Sequence, residues 1–209
     1  MFKKVLVANR GEIALRIIRA CRELSVPTVA IHSEVDATTL PVKYADEAYL
    51  VEPGPIEGYL SIYRIIDLAK QKGVDAIHPG YGFLSENAEF ADACAANGIT
   101  FIGPPAAAIR TMGDKILARR KMIEAGIPVV PGLVDPLSSV DEAVRCADEI
   151  GYPVMLKASA GGGGKGIRIC QNREEVTRLF PVTQAEAKLS FGKDTVYIEK
   201  YLRAPHHIE

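Results

Sequence analysis

The chain has 209 residues, 48% hydrophobic and 24% charged, with a formal net charge of -1 and a pI near 6.4, the balance of a globular protein long enough for two modest domains. So even a balance supplies no field that would hold a nucleic-acid backbone, and no apolar run reaches the length of a membrane span. Four scattered cysteines, Cys21, Cys94, Cys146 and Cys170, read as small apolar residues of a reducing compartment, and without a signal h-region behind Met1 the expected location is the cytoplasm.

Lys4 to Ala8 is a continuous apolar run suited to a strand buried on both faces. After Asn9-Arg10-Gly11, the segment Glu12 to Leu24 places Ile13, Ile17, Ala20, Cys21 and Leu24 at helical spacing, and Pro27 to His32 reads as a second strand. This is a βαβ unit, for which a right-handed crossover onto a parallel sheet is expected. The alternation continues with a strand at Glu47 to Val51, a helix at Tyr59 to Lys72 ended by Gly73, and a strand at Val74 to Ile77. A helix from about Ser85 to Asn97 and a strand at Thr100 to Ile102 complete an α/β fold, an open, doubly wound, Rossmann-like parallel sheet.

The loop His78 to Asn87 leaves the carboxyl end of the fourth strand, where open α/β sheets place ligands. Ser85, Glu86 and Glu89 equally suit a helix cap and its first turn, and His78 alone reads better as a structural histidine. Tyr81, between Gly80 and Gly82, is harder to explain by packing.

Gly103-Pro104-Pro105 is a stiff break, followed by helices at Ala106 to Thr111 and Lys115 to Glu124, the second with Asp114 as its expected N-cap. Lys115 is poorly placed for the dipole of that helix, and an anionic ligand shared with its positive end is one reason for it to be there. Pro128, Pro131, Gly132 and Pro136 form a second break, which divides the chain into domains at 1–126 and 127–209. The second domain offers a helix at Asp141 to Ile150, a strand at Pro153 to Leu156, and a helix at Glu174 to Leu189 that Pro181 should kink or split. With a last strand at Val196 to Glu199, it is expected to be a small α+β domain on an antiparallel sheet.

Between its first two strands lies Lys157-Ala158-Ser159-Ala160-Gly161-Gly162-Gly163-Gly164-Lys165-Gly166-Ile167-Arg168. Ordering four consecutive glycines costs backbone entropy, and their use is to let N–H groups approach an anion, with Lys157, Lys165 and Arg168 supplying positive charge. The stretch reads as a phosphate-covering flap between two strands. A Walker A loop needs Ser or Thr after Gly-Lys and then a helix, and a Rossmann fingerprint must also open a helix; neither condition holds. A solvated hairpin tip is the plain alternative, although one or two glycines would serve it.

Taken together, Ala8-Asn9-Arg10-Gly11-Glu12-Ile13-Ala14 with Arg16, His78 to Asn87, Met112-Gly113-Asp114-Lys115, Lys157 to Arg168 and Glu199-Lys200-Tyr201-Leu202 resemble the N-terminal part of biotin carboxylases. These are the ATP-grasp components of acetyl-CoA, propionyl-CoA and pyruvate carboxylases. The resemblance implies that Lys115 and Lys157 contact ATP phosphates and that Gly163 and Gly164 cover them from a lid. It implies that Glu199, Lys200, Tyr201 and Leu202 line the adenine, with main-chain groups of Lys200 and Leu202 reading its edge, and that His207 lies near the ribose. Tyr81 and Gly82 would belong to an active-site loop near biotin, and Arg19 and Glu23 to a homodimer contact, where the alternative is an i, i+4 surface pair.

The implied reaction activates bicarbonate with ATP and Mg2+ as carboxyphosphate, then carboxylates the biotin of a carrier protein that also serves a carboxyltransferase. Metal-binding glutamates, bicarbonate-binding residues and the general base are expected beyond Glu209, so these 209 residues are expected to act as a fragment, inactive alone. The competing readings are another ATP-grasp ligase, such as one like carbamoyl-phosphate synthetase, and a non-catalytic nucleotide-binding or dimerisation module.

Overall fold

The computed structural model describes residues 1–133, 135–158, 166–192 and 194–206. They form two compact units, Met1–Asp114 and Lys115–Glu209. The helix Lys115–Glu124 belongs to the second of these units. Its side chains bond to the segment after it: Arg119 donates to the carbonyls of Val130 and Gly132, and Arg120 pairs with Asp135 at 2.6 Å. These bonds tie the helix to the chain that follows it.

In the first unit, β1 (Val5–Val7), β2 (Thr28–His32), β3 (Glu47–Leu50), β4 (Ala76–His78) and β5 (Thr100–Phe101) form a parallel sheet in the order β3-β2-β1-β4-β5. β1 is central and wholly buried because successive residues serve opposite layers. Leu6 joins Val29, Ile31, Ile77, Ile65 and Phe90 on one face, while Val7 joins Ala30, Ala14, Ile17 and Ile18 on the other. The second group uses α1 (Gly11–Glu23), whose apolar stripe is the one the sequence spacing predicts. Each such buried aliphatic side chain contributes about 1.5–3 kcal/mol, so the doubly wound arrangement is held from both faces.

The strand order turns back between β1 and β4, which makes the loops after these two strands neighbours. α3 (Ile62–Gln71) and α4 (Ala88–Ala96) complete the alternation, and the short α2 (Leu40–Tyr44) has no counterpart in the sequence reading. α4 starts later than Ser85 because Asn87 is its cap, accepting a hydrogen bond from the Phe90 N–H at 2.8 Å. α5 (Ala106–Gly113) closes the unit.

In the second unit, α6 (Lys115–Glu124) and α7 (Val140–Ile150) precede β6 (Val154–Ala158), β7 (Ile167–Cys170), α8 (Arg173–Phe191) and β8 (Val196–Lys200). The sheet is antiparallel, in the order β7-β6-β8. Val154, Leu156, Cys170, Val196 and Ile198 bury one face against Ala143 and Ala147 of α7 and Val176 and Phe180 of α8. Pro181 does not split α8, which is one helix with that proline on its exposed side. Its buried residues Val176, Phe180, Thr183 and Ala187 continue the helical repeat across the proline, so packing on both sides outweighs the missing backbone hydrogen bond.

Candidate functional site

The second unit offers an open sheet face. Because strand side chains alternate, the face opposite the core carries Met155 and Lys157 of β6, Ile167 and Ile169 of β7, and Tyr197 and Glu199 of β8. Ile167 and Ile169 are 41% and 40% exposed, a large apolar surface left open by two branched side chains. The Lys157 ammonium contacts the Glu199 carboxylate on the same face.

Arg168 does not join Lys157. It lies across from Leu156 in the ladder, which turns it to the helix-covered side, where it pairs with Glu186 of α8 at 2.7 Å. This corrects its expected place around the glycine loop. Gly163, Gly164, Lys165 and His207 lie outside the described residues, as does the side chain of Lys115.

The end of β8 has an unusual backbone edge. Tyr201 N–H donates to the Pro153 carbonyl at 3.1 Å, so antiparallel alternation turns the polar groups of Lys200 away from β6. There Lys200 N–H donates to the Pro131 carbonyl at 2.7 Å, and Pro131 has no N–H to return. The Lys200 carbonyl therefore keeps its acceptor capacity, and among the described residues no partner meets the N–H of Leu202, which is 46% exposed. Gly132 lets this edge form, because a Cβ there would stand 2.6 Å from the Ile198 carbonyl oxygen. The Lys200 side chain is committed elsewhere, donating to the carbonyls of Gly151 and Tyr152 at 2.8 and 2.9 Å. Only its main chain is free to read a ligand.

This arrangement combines an apolar surface, an acceptor and a donor two residues apart, and an ammonium. Lys157 lies level with Tyr197, three residues or about 10 Å along the strand from Lys200. Such a spacing suits a flat heterocycle at one end and an anion at the other.

The first unit holds a second candidate at its switch point. Asn9, 3% exposed, donates to the carbonyls of Pro79 and Tyr81 at 2.7 and 2.8 Å and accepts from Arg10 N–H at 2.8 Å. It thereby staples the loop after β1 to the loop after β4. Gly80, at φ 67°, passes beneath it, where a Cβ would meet Asn9 Nδ2 at 2.8 Å. Tyr81 is 59% exposed and its hydroxyl donates to Glu12, which pushes the phenol pKa up. Gly82 follows at φ 69°.

His78 is structural, as the residues alone suggested: its Nδ1 accepts from Gly80 N–H at 3.0 Å, and burial lowers its pKa. Arg10 forks onto Asp36 with contacts of 2.8 and 2.6 Å, and Ser33 and Tyr59 hydroxyls donate to the same carboxylate, each at 2.9 Å. The Arg10 guanidinium holds the Asp36 pKa below its usual value against the opposing effect of burial. Burial and the Asp36 hydrogen bond push Tyr59 up to about 12. Asp36 and Tyr59 went unnoticed in the sequence because neither sits in a motif; only the fold brings them to Arg10.

On the outer side of α1, Arg19 and Arg22 stand over the Tyr44 ring at 5.9 and 5.5 Å. Among the described residues no ion pair joins Arg19 to Glu23, so the alternative of an i, i+4 pair finds no support.

The sequence matches two families in succession: biotin carboxylase, N-terminal domain, over residues 1–109, and carbamoyl-phosphate synthase L chain, ATP binding domain, over residues 114–209. The 2-oxoglutarate carboxylase small subunit of Hydrogenobacter thermophilus is 56% identical over 209 residues, which is all of this chain and 44% of that protein. The chain thus spans less than half the length of that relative. A crystal structure of the biotin carboxylase domain dimer of the Hydrogenobacter thermophilus enzyme, in complex with MgADP, ADP and bicarbonate, is similar with a TM-score of 0.78 at 56% identity, covering 97% of this chain and 45% of that one. The Campylobacter jejuni biotin carboxylase beta-gamma-ATP complex gives a TM-score of 0.81 at 44% identity, covering 98% and 46%. Among the described residues no helix is long and apolar enough to cross a membrane. The match over the first 109 residues, which carries the Asn9 staple and the Tyr81 loop, decides between the ATP-grasp alternatives: the chain belongs to the biotin carboxylase N-terminal domain family.

Proposed function

We propose that this chain is the N-terminal part of an ATP-dependent biotin carboxylase, and that the open face of its second unit holds the nucleotide. The observation that carries the reading is the edge at Lys200, where Pro131 leaves a backbone acceptor near the Leu202 N–H at the border of a sheet whose open face carries Lys157. An adenine offers one amino donor and an adjacent ring acceptor, which fits that pair of groups. Ile167, Ile169 and Met155 supply the apolar floor, and Glu199 and Tyr201 flank it.

Lys157 and Lys115 are assigned to the phosphates, with the backbone of Gly163 and Gly164 covering them and His207 beside the ribose. Positive charge and backbone donors placed against a polyphosphate lower the cost of charge that builds up during phosphoryl transfer. A closed cover keeps water from a labile acyl phosphate. The reaction belongs to the whole protein, whose relatives are more than twice as long. It consumes ATP with Mg2+ and bicarbonate and carboxylates biotin on a carrier protein, from which a carboxyltransferase takes the carboxyl group. Tyr81 and Gly82 are assigned to the biotin side, Arg19 and Glu23 to a homodimer contact, and the protein to the cytoplasm.

Calorimetric titration of the chain with ATP and magnesium tests the nucleotide assignment. A dissociation constant near or below about 1 mM, weakened at least about tenfold by Lys157→Ala and by Lys115→Ala, is the expected outcome. Absence of any heat, or variants that bind as the parent does, would refute it.

A further inference from the structure

Lys157 and Glu199 restrict what the open face accepts. Lys157 lies across from Tyr197 and Met155 across from Glu199, so the two charges are diagonal neighbours whose long side chains lean together. They are in contact, with side chains 36% and 24% exposed, among Met155, Ile167 and Ile169. An anion that takes the ammonium must share it with the carboxylate or displace it. A displaced carboxylate is left half-buried on an apolar surface, which is unfavourable unless it finds another donor.

Ligands differ in whether they bring that donor. A nucleotide carries amino and hydroxyl hydrogens, and Glu199 immediately precedes Lys200, whose carbonyl is the acceptor at this edge. An inorganic polyphosphate has the charge to attract Lys157 but none of the amino or ribose hydroxyl hydrogens that a nucleoside can offer Glu199. We infer that Glu199 is an exchangeable counter-ion that determines specificity: it yields Lys157 to ligands that pair a polyphosphate with a hydrogen-bond-donating nucleoside, and withholds it from bare polyphosphates. The inference rests on the nucleotide assignment made above.

The test titrates metal-free ATP and metal-free tripolyphosphate into the chain by calorimetry at low salt, for the parent, Glu199→Gln, Lys157→Met and the double variant. Folding of each is checked by circular dichroism and melting. The parent should bind ATP at least about tenfold more tightly than tripolyphosphate. Glu199→Gln should tighten tripolyphosphate about fivefold and ATP about twofold or less, the scale of one partly screened ion pair.

In the Lys157→Met background the effect of Glu199→Gln on tripolyphosphate should vanish, because the carboxylate acts through that ammonium. Should Glu199→Gln fold poorly, Glu199→Asp, which keeps the charge and shortens its reach, is expected to move the ratio in the same direction. Equal tightening of both ligands, no tightening of tripolyphosphate, or an effect that survives Lys157→Met would overturn the counter-ion role while leaving the nucleotide site standing. If no variant binds ATP, the nucleotide assignment itself fails and takes this inference with it.

Discussion

Replacing Asp36 by Asn isolates the charge that orders the loop after β1. Asp36 is 5% exposed and accepts hydrogen bonds from Arg10 Nε, Arg10 Nη2, Ser33 Oγ and Tyr59 OH. Three of these donors converge on Oδ2, so an asparagine keeps them by placing its oxygen there. Its amide nitrogen then faces Arg10 Nη2, donor against donor, and the anion that balances the guanidinium is gone. Losing one charge-assisted bond and weakening another amounts to about 2–3 kcal/mol. Asp36→Ala removes all four bonds and should cost about 3–5 kcal/mol. Urea titrations at pH 7 followed by circular dichroism measure both.

The pH dependence gives an independent check on the same residue. Arg10 holds the folded Asp36 pKa below the usual value, so its stabilisation is complete above the unfolded carboxylate pKa, about 3.9, and is lost as the pH falls from there through the lower folded value. Asp36→Asn should remove that part of the acid loss. A cost under about 0.5 kcal/mol at pH 7, or an unchanged slope below about pH 4, would refute the reasoning.

Two further outcomes follow from burial. His78 should titrate below its ordinary value of 6.5 in proton NMR, since burial and the Gly80 N–H both favour the neutral ring. Because its folded pKa is depressed, its contribution to stability is complete above pH 6.5 and declines as the pH falls below it; a measured pKa at or above 6.5 contradicts this. Cys94 and Cys170 are fully buried, with burial pushing each thiol up to about 11, so both should resist a thiol reagent at pH 8 and react once the chain is unfolded. Labelling stoichiometry before and after denaturation measures the difference.

Much of the first unit was legible because its pattern is local. Strands such as Val5–Val7 are continuous apolar runs, and α1 repeats its apolar residues at helical spacing. The network on Asp36 was not legible, because Arg10, Ser33, Asp36 and Tyr59 meet only through the fold. Arg168 was misplaced for a related reason. The side to which it points depends on the register of β7 against β6, and the connecting glycine loop sets no register that composition reveals. Pro181 carries a strong local signal for a break, which the tertiary packing of Val176, Phe180, Thr183 and Ala187 overrides. The hydrogen bonds from Arg119 to the carbonyls of Val130 and Gly132 were not legible either, because an arginine on a helix does not announce which carbonyls it will meet.

Pro131 unites sequence, ladder and proposed function in one atom. In the sequence it reads as punctuation, yet in the fold its carbonyl accepts from Lys200 N–H at 2.7 Å while its ring nitrogen has no hydrogen for the Lys200 carbonyl. Nearby, Leu133 and Leu137 donate to the Ile198 and Val196 carbonyls at 3.1 and 2.9 Å, so the rest of this edge of β8 is closed to outside strands. The proline thus leaves one backbone acceptor open on an edge that is otherwise paired. Pro131→Ala restores the N–H and lets the ladder close onto Lys200. If that carbonyl reads the base, the variant should keep or slightly raise its melting temperature while its affinity for ATP falls about fivefold or more, the worth of one hydrogen bond. The combination matters, because a substitution that merely disturbed the fold would lower both. Undiminished ATP binding in a well-folded Pro131→Ala protein would show that the base is read elsewhere.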